Sequence, residues 1–149
     1  MAKQLPAVLK NFNVFVDFDS YAGSLKTIEL PEIVKKTEEY RGAGMLGDIV
    51  LDMGFEKLEL TVTYTGIDPR HFSQLAKCDV SGLPIRFIGA YERQDICLHT
   101  VREISMRGMM TEMPLGEMSL GEINEQEIKY GVTYIKVVDD GYELLELDL

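Results

Sequence analysis

Polar and apolar residues alternate with a period of two along much of the chain, the signature of strands with one buried face. The clearest run is Glu56 to Tyr64, where Leu58, Leu60, Val62 and Tyr64 alternate with Lys57, Glu59, Thr61 and Thr63. Gly54 and Gly66 bracket it. Leu83 to Glu92 sets Ile85, Phe87, Gly89 and Tyr91 against Arg86, Ile88, Ala90 and Glu92, and predicts a second strand. Gln94 to Met106 interleaves Ile96, Leu98 and Thr100 with Cys97, His99 and Val101. Later, Ile128, Tyr130, Val132 and Tyr134 alternate with Lys129, Gly131 and Thr133. Asp139-Asp140-Gly141 then supplies a hairpin turn, and Tyr142 to Leu147 a returning strand.

Helical signals are local. Asp68 is a favourable N-cap and Pro69 suits a first helical position, so a short helix is expected over 68–77. Its apolar residues Phe72, Leu75 and Ala76 fall on one face. Pro31 to Arg41 is ambiguous: Pro near the start and Gly42 past the end fit a helix, but no consistent apolar face emerges. Propensity alone favours a helix there. Gly42, Gly44 and Gly47 crowd the next stretch, which reads as a mobile loop that orders on contact with a partner. No repeat or linker divides the chain, so a single domain over 1–149 is expected.

Charge narrows the function. Fifteen Lys and Arg face twenty-five Asp and Glu, a formal net charge of −10. Binding a nucleic-acid duplex needs clustered positive charge, and none is present. The same excess also serves ordinary solubility. The opening residues lack the apolar run of a signal peptide, and no stretch approaches a membrane span. Two cysteines, Cys78 and Cys97, make no disulfide framework and fit a reducing cytoplasm, each a core thiol by default.

The sharpest enzyme-like feature is Val14-Phe15-Val16-Asp17-Phe18-Asp19, an apolar strand running into Asp-x-Asp. It resembles the nucleophile motif of haloacid-dehalogenase-type phosphatases, with Asp17 attacking phosphorus and Asp19 as the acid. Ile135 to Asp140 resembles that family's magnesium-binding end motif. Such a site needs parallel strands joined by crossover helices. The alternating strands here do not supply them, and Asp-rich turns explain both motifs. His71, Cys78, Cys97 and His99 carry zinc-compatible groups, with Cys97 and His99 on one strand face, but their spacing matches no compact zinc motif. Met106, Met109, Met110, Met113 and Met118 form a cluster that suits a surface buried by a neighbouring subunit.

Several segments together resemble the major tail tube proteins of contractile-tailed bacteriophages and phage-tail-like bacteriocins. They are Leu9 to Phe15, Tyr21-Ala22-Gly23, Ile28 to Pro31, Lys36 to Met45 and Leu51 to Gly54. Arg86 to Tyr91, Glu112-Met113 with Gly116-Glu117, and Tyr134-Ile135-Lys136 to Glu146-Leu147-Asp148 follow in the same order. The resemblance implies a mainly β, antiparallel sandwich or barrel with one short helix, and a long hairpin over about 30–66 that replaces the helix reading of Pro31 to Arg41. It also implies hexameric rings stacked into a hollow tube, without catalysis, cofactor or metal. Sheath, tape-measure and baseplate proteins would be its partners. DNA would pass through the lumen unbound, and no membrane is involved. Glu39, Tyr40, Arg41, Gly42, Gly44 and Met45 become candidates for contacts between subunits or rings. Lys57, Glu59, Thr61 and Thr63 become candidates for the channel wall, which is expected to be net acidic. A monomeric β-barrel carrier with one enclosed apolar pocket is the alternative from the binding class.

Overall fold

In a computed structural model, residues 5–115 and 119–149 are described. Strands β1 (Val8–Val16), β2 (Asp19–Ser20), β3 (Leu25–Glu29), β4 (Lys35–Tyr40), β5 (Ile49–Phe55) and β6 (Leu58–Thr65) precede helix α1 (Arg70–Leu75). Strands β7 (Leu83–Arg93), β8 (Leu98–Glu112), β9 (Glu125–Asp139) and β10 (Tyr142–Asp148) follow it. Eight strands form one sheet, in the order β2-β1-β7-β8-β9-β6-β3 with β10 also on β9, and β4 and β5 form a separate pair. Every strand pairing among the described residues is antiparallel.

The sheet curls until its inner face closes on itself. Its two terminal strands, β2 and β3, are consecutive in the chain, so the turn from Tyr21 to Ser24 joins the edges covalently. The Tyr21 amide bonds the Val14 carbonyl on one side, and the Thr65 amide bonds the Ser24 carbonyl on the other. Inside lie Val14 and Val16 of β1, Leu58, Leu60, Val62 and Tyr64 of β6, Ile85 and Phe87 of β7, Met106 of β8, and Ile128 and Tyr130 of β9. They are the inward half of each alternating run, so burial follows the period of two. These buried side chains pack into one continuous apolar cluster.

Strand β9 has an unusual load. Its first half pairs with β6, its second half with β10, and nearly its whole length with β8 on the other edge. At the changeover, Gly108 of β8 lies so close to β9 that a Cβ there would sit 2.0 Å from the Gly131 carbonyl oxygen. A bulge at Arg107–Gly108 accompanies this approach. Glycine is required by contact here, since any side chain would push the strands apart.

Several sequence expectations change. The strand expected from Gln94 starts only at Leu98, because residues 94–97 form the β7–β8 turn with Cys97 at φ +51°. Cys97 therefore does not share a strand face with His99. Both cysteines are exposed, not core thiols. The helix is shorter than 68–77, and Asp68 accepts from the Arg70 amide at 3.0 Å just ahead of it. Of the methionine cluster, Met106 and Met110 are buried in the core and Met113 packs against it, so tight packing within one copy uses them. Met118 lies outside the described residues, as do Gly116 and Glu117.

Substituting Gly108→Ala should cost about 2–3 kcal/mol of unfolding free energy through overpacking. Urea unfolding followed by circular dichroism measures it, with Gly47→Ala, where a Cβ meets nothing within 4 Å, as the neutral control.

Candidate assembly surfaces

Residues 25–65 form the long hairpin, in two paired halves. The inner half, β3 with β6, belongs to the curled sheet, and the outer half, β4 with β5, projects from it. Every residue of β4 and β5 is exposed. Cross-strand partners share a face, and the register places Tyr40 opposite Ile49 and Glu38 opposite Leu51, with Lys36 and Met53 further along the same side. The other face carries Glu39 with Val50, Thr37 with Asp52, and Lys35 with Phe55. A Lys35–Asp52 ion pair at 3.5 Å lies on that second side. One face is therefore mostly apolar, yet Tyr40, Ile49, Leu51 and Met53 are 52%, 46%, 40% and 54% exposed. A lone two-stranded ribbon in water is at best marginal, and an uncovered apolar face on one marks a contact surface.

The tip holds the remaining contact candidates. The Met45 amide bonds the Gly42 carbonyl at 3.2 Å, and the Gly42 amide points at the Met45 sulfur at 3.1 Å. Gly44 takes φ +83°, the left-handed region that glycine enters without strain. Glu39 and Tyr40 end β4 on opposite faces, Arg41 starts the turn, and Leu46 stands fully in solvent. Sequence reasoning chose the tip and missed the apolar row Ile49, Leu51 and Met53 beside it. The alternation was visible in the sequence.

The wall candidates Glu59, Thr61 and Thr63 occupy the outward side of β6, and Lys57 lies just before that strand. On β9, Gly131, Lys129 and Glu127 stand opposite them, and on β3 Glu29 and Thr27 face Thr61 and Thr63. Lys129 lies between Glu59, at 4.0 Å, and Glu112 of β8, at 3.8 Å. Lys26 pairs with Glu125. Glu29, Glu59, Glu112, Glu125 and Glu127 thus outnumber Lys26, Lys57 and Lys129 on this polar face.

The enzyme-like motifs dissolve into turns. Asp17 and Phe18 have φ +52° and +66° in the tight turn between β1 and β2, and Asp17 is held by Lys77 at 2.9 Å. Asp139 bonds Arg102 at 3.3 Å, and Asp140 with Gly141 makes the β9–β10 turn. Asp17 follows β1 and Asp139 ends β9, and β7 and β8 lie between those two strands in the sheet. No group of three or more His, Cys, Asp or Glu among the described residues could hold a metal ion.

Comparison with known proteins decides the assignment. The family model for phage tail tube protein FII matches residues 6–149. The chain belongs to this family. It is 37% identical to the tail tube protein of Escherichia phage P2 over 147 residues, 97% of this chain and 86% of that protein. The major tail tube protein of Serratia phage KSP20 is 29% identical, across 97% of this chain and 84% of its own. In structure it resembles a chain of the PVC extracellular contractile injection system sheath–tube complex. The TM-score there is 0.69 at 13% identity, over 89% of this chain and 91% of that one. The protein is a tail tube subunit, a structural component of a virion tail, and the phosphatase and carrier readings find no support.

Within this tail tube subunit, α1 seats on the barrel in an unexpected way. Its buried residues are His71 and Gln74, while Phe72 and Leu75, the face expected to pack, are 49% and 42% exposed. The His71 ring stacks on Tyr21 at 5.1 Å and meets Tyr64 at 4.4 Å. Gln74 donates to the Tyr21 hydroxyl at 2.8 Å, and Arg70 lies over the Tyr21 ring. Below, the Tyr64 and Tyr130 hydroxyls bond at 3.0 Å. Neither His71 nitrogen completes a hydrogen bond, and the Gln74 and Gln126 side-chain oxygens are likewise unpartnered.

Burial therefore pushes the His71 pKa below its ordinary value. The nearby Asp68 carboxylate opposes the shift, and the Arg70 cation adds to it. The unfolded chain takes up a proton near pH 6.5 that the folded seat resists, so acid favours unfolding. Stability should fall as pH drops below about 6.5, by up to ~1.4 kcal/mol per pH unit, until the buried ring itself protonates. Urea unfolding at pH 7.5, 6.5 and 5.5 should show this slope in the native protein. The His71→Gln variant should lack it.

Proposed function

We propose that this tail tube subunit assembles as hexameric rings that stack into a hollow tube, the conduit or penetrating needle of a contractile tail. The uncovered apolar face of the β4–β5 hairpin carries the reading, because only another protein surface can bury it. Open strand edges support it. Among the described residues, β3, β10 and the start of β1 each have an edge without a strand partner. Ring closure would pair such edges across copies and remove the hazard of uncontrolled pairing. Each chain acts as one tube unit, with Glu39, Tyr40, Arg41, Gly42, Gly44 and Met45 reaching a neighbouring subunit or ring. The outer wall meets the sheath, the tape-measure protein occupies the lumen during assembly, and the baseplate nucleates growth. Assembly takes place in the reducing host cytoplasm, where the exposed Cys78 and Cys97 remain thiols.

The polar face holding Glu59, Thr61 and Thr63, with Lys57 at its rim, lines the channel in this reading. Its excess of carboxylates repels phosphates, so DNA passes without adhering.

Negative-stain microscopy tests the assembly. Native protein, nucleated by its baseplate where necessary, should give rings or tubes of uniform diameter. Leu51→Asp should abolish them while changing monomer stability by less than about 0.5 kcal/mol, because the position is exposed in the single copy. Persistent monomers under every nucleating condition would defeat the reading.

The channel wall has its own test. Tubes of the Glu59→Lys, Glu127→Lys variant should still form but retain DNA in a sedimentation assay. That retention should vanish as salt rises from 50 to 200 mM, roughly the range over which phosphate contacts weaken. Native tubes should retain none.

A further inference from the structure

Strand register builds a groove on the outward face of the sheet, across β1, β7, β8 and β9. One row of cross-strand partners runs Phe15, Arg86, Ser105 and Lys136, and the next runs Pro84, Arg107 and Tyr134. Together with Phe18 of the β1–β2 turn they line a groove of about 610 Å³. That is room for a few side chains of a partner, the size of a small-ligand site.

Phe18 is a costly residue to place there. It has φ +66° directly after Asp17 at φ +52°, a left-handed pair in which glycine and asparagine are ordinary and a bulky aromatic is an outlier. Its ring is 85% exposed, so no packing within the single copy offsets the strain. The turn is nevertheless fixed. The Asp17 amide bonds the Pro84 carbonyl at 2.8 Å, and the Asp17 carboxylate is held by Lys77. A tethered turn therefore presents an aromatic ring beside the groove.

The lining holds three cations and no carboxylate, in a chain of net charge −10. Two of the cations are engaged: Arg86 with Glu103 at 2.6 Å, and Lys136 with Glu143 at 3.8 Å. The nearby Glu146 accepts from the Tyr134 hydroxyl at 2.9 Å. Arg107 has no ion pair among the described residues, and its guanidinium lies 5.8 Å from the centre of the Tyr134 ring.

We propose that this groove binds an acidic segment of another protein, with a carboxylate on Arg107 and an adjacent apolar side chain against Phe15, Phe18 and Pro84. The inference goes beyond the tube reading and uses neither the hairpin nor the carboxylate-rich face. A guanidinium takes a carboxylate through two parallel hydrogen bonds, and apolar walls strengthen them by excluding water. A nucleic acid fits poorly. One free cation releases few counterions, and the charge of the whole chain repels a polyanion.

The test is an NMR titration of the isotope-labelled full chain with the peptide acetyl-Phe-Glu-Leu-amide. Resonances of Phe18, Arg107 and Tyr134 should move, with half-saturation at about 1 mM, and the matching Gln peptide should need roughly tenfold more. Arg107→Gln should respond to the two peptides alike. Phe18→Gly should bind the acidic peptide about tenfold more weakly yet melt at a higher temperature, because glycine enters the left-handed turn without strain. A thymidine oligonucleotide should move none of these resonances. Equal affinity of the native chain for both peptides, no response by about 10 mM peptide, or a stronger response to the oligonucleotide would overturn the assignment. None of those results bears on whether native subunits form tubes, which microscopy decides separately.

Discussion

The fold depends on a close approach between two strand backbones. Where Gly108 meets Gly131, β8 and β9 come together with no room for a side chain, and β9 can bend from one partner to another. Before that point β9 belongs with β6 and closes the barrel. Beyond it, β9 belongs with β10 and extends the sheet outward. One long strand therefore ties the closed body to its open margin. Separate strands would have left two sheets with a weak seam.

The body on this frame is complete, and what projects from it is not. Inward side chains of β1, β6, β7, β8 and β9 are all but inaccessible, and the edges of the curl are joined by a turn of the chain. The hairpin and the outer face of α1 have the composition of buried structure without being buried. Under the proposed assembly, stability and association are separated: substitutions in the barrel act on folding, while those on the hairpin act on contacts between copies. This division suits a subunit that must stay soluble before incorporation.

Alternation made the barrel strands legible in the sequence, because a period of two identifies an apolar face directly. It said less about what covers that face. Phe72, Leu75 and Ala76 read as a packing face but are exposed, since His71 and Gln74 hold the inward positions. Cys97 continued an alternating run that the chain breaks with a left-handed turn residue. Residues of β4 gave no apolar stripe, so their charges read as helix. Strand identity there came from the ordered resemblance to tail tube proteins. The wall candidates on β6 were found by pattern, whereas their acidic neighbours on β3, β8 and β9 needed the register.

A hairpin that docks on a neighbouring copy, as proposed, also gives the finished polymer a direction. If each copy offers its ribbon to the next, one end of the tube displays free ribbons and the other displays empty receptors. The two ends are then different chemical surfaces. A protein that starts the tube and one that stops it must recognise opposite halves of the same contact, and neither can take the other's place.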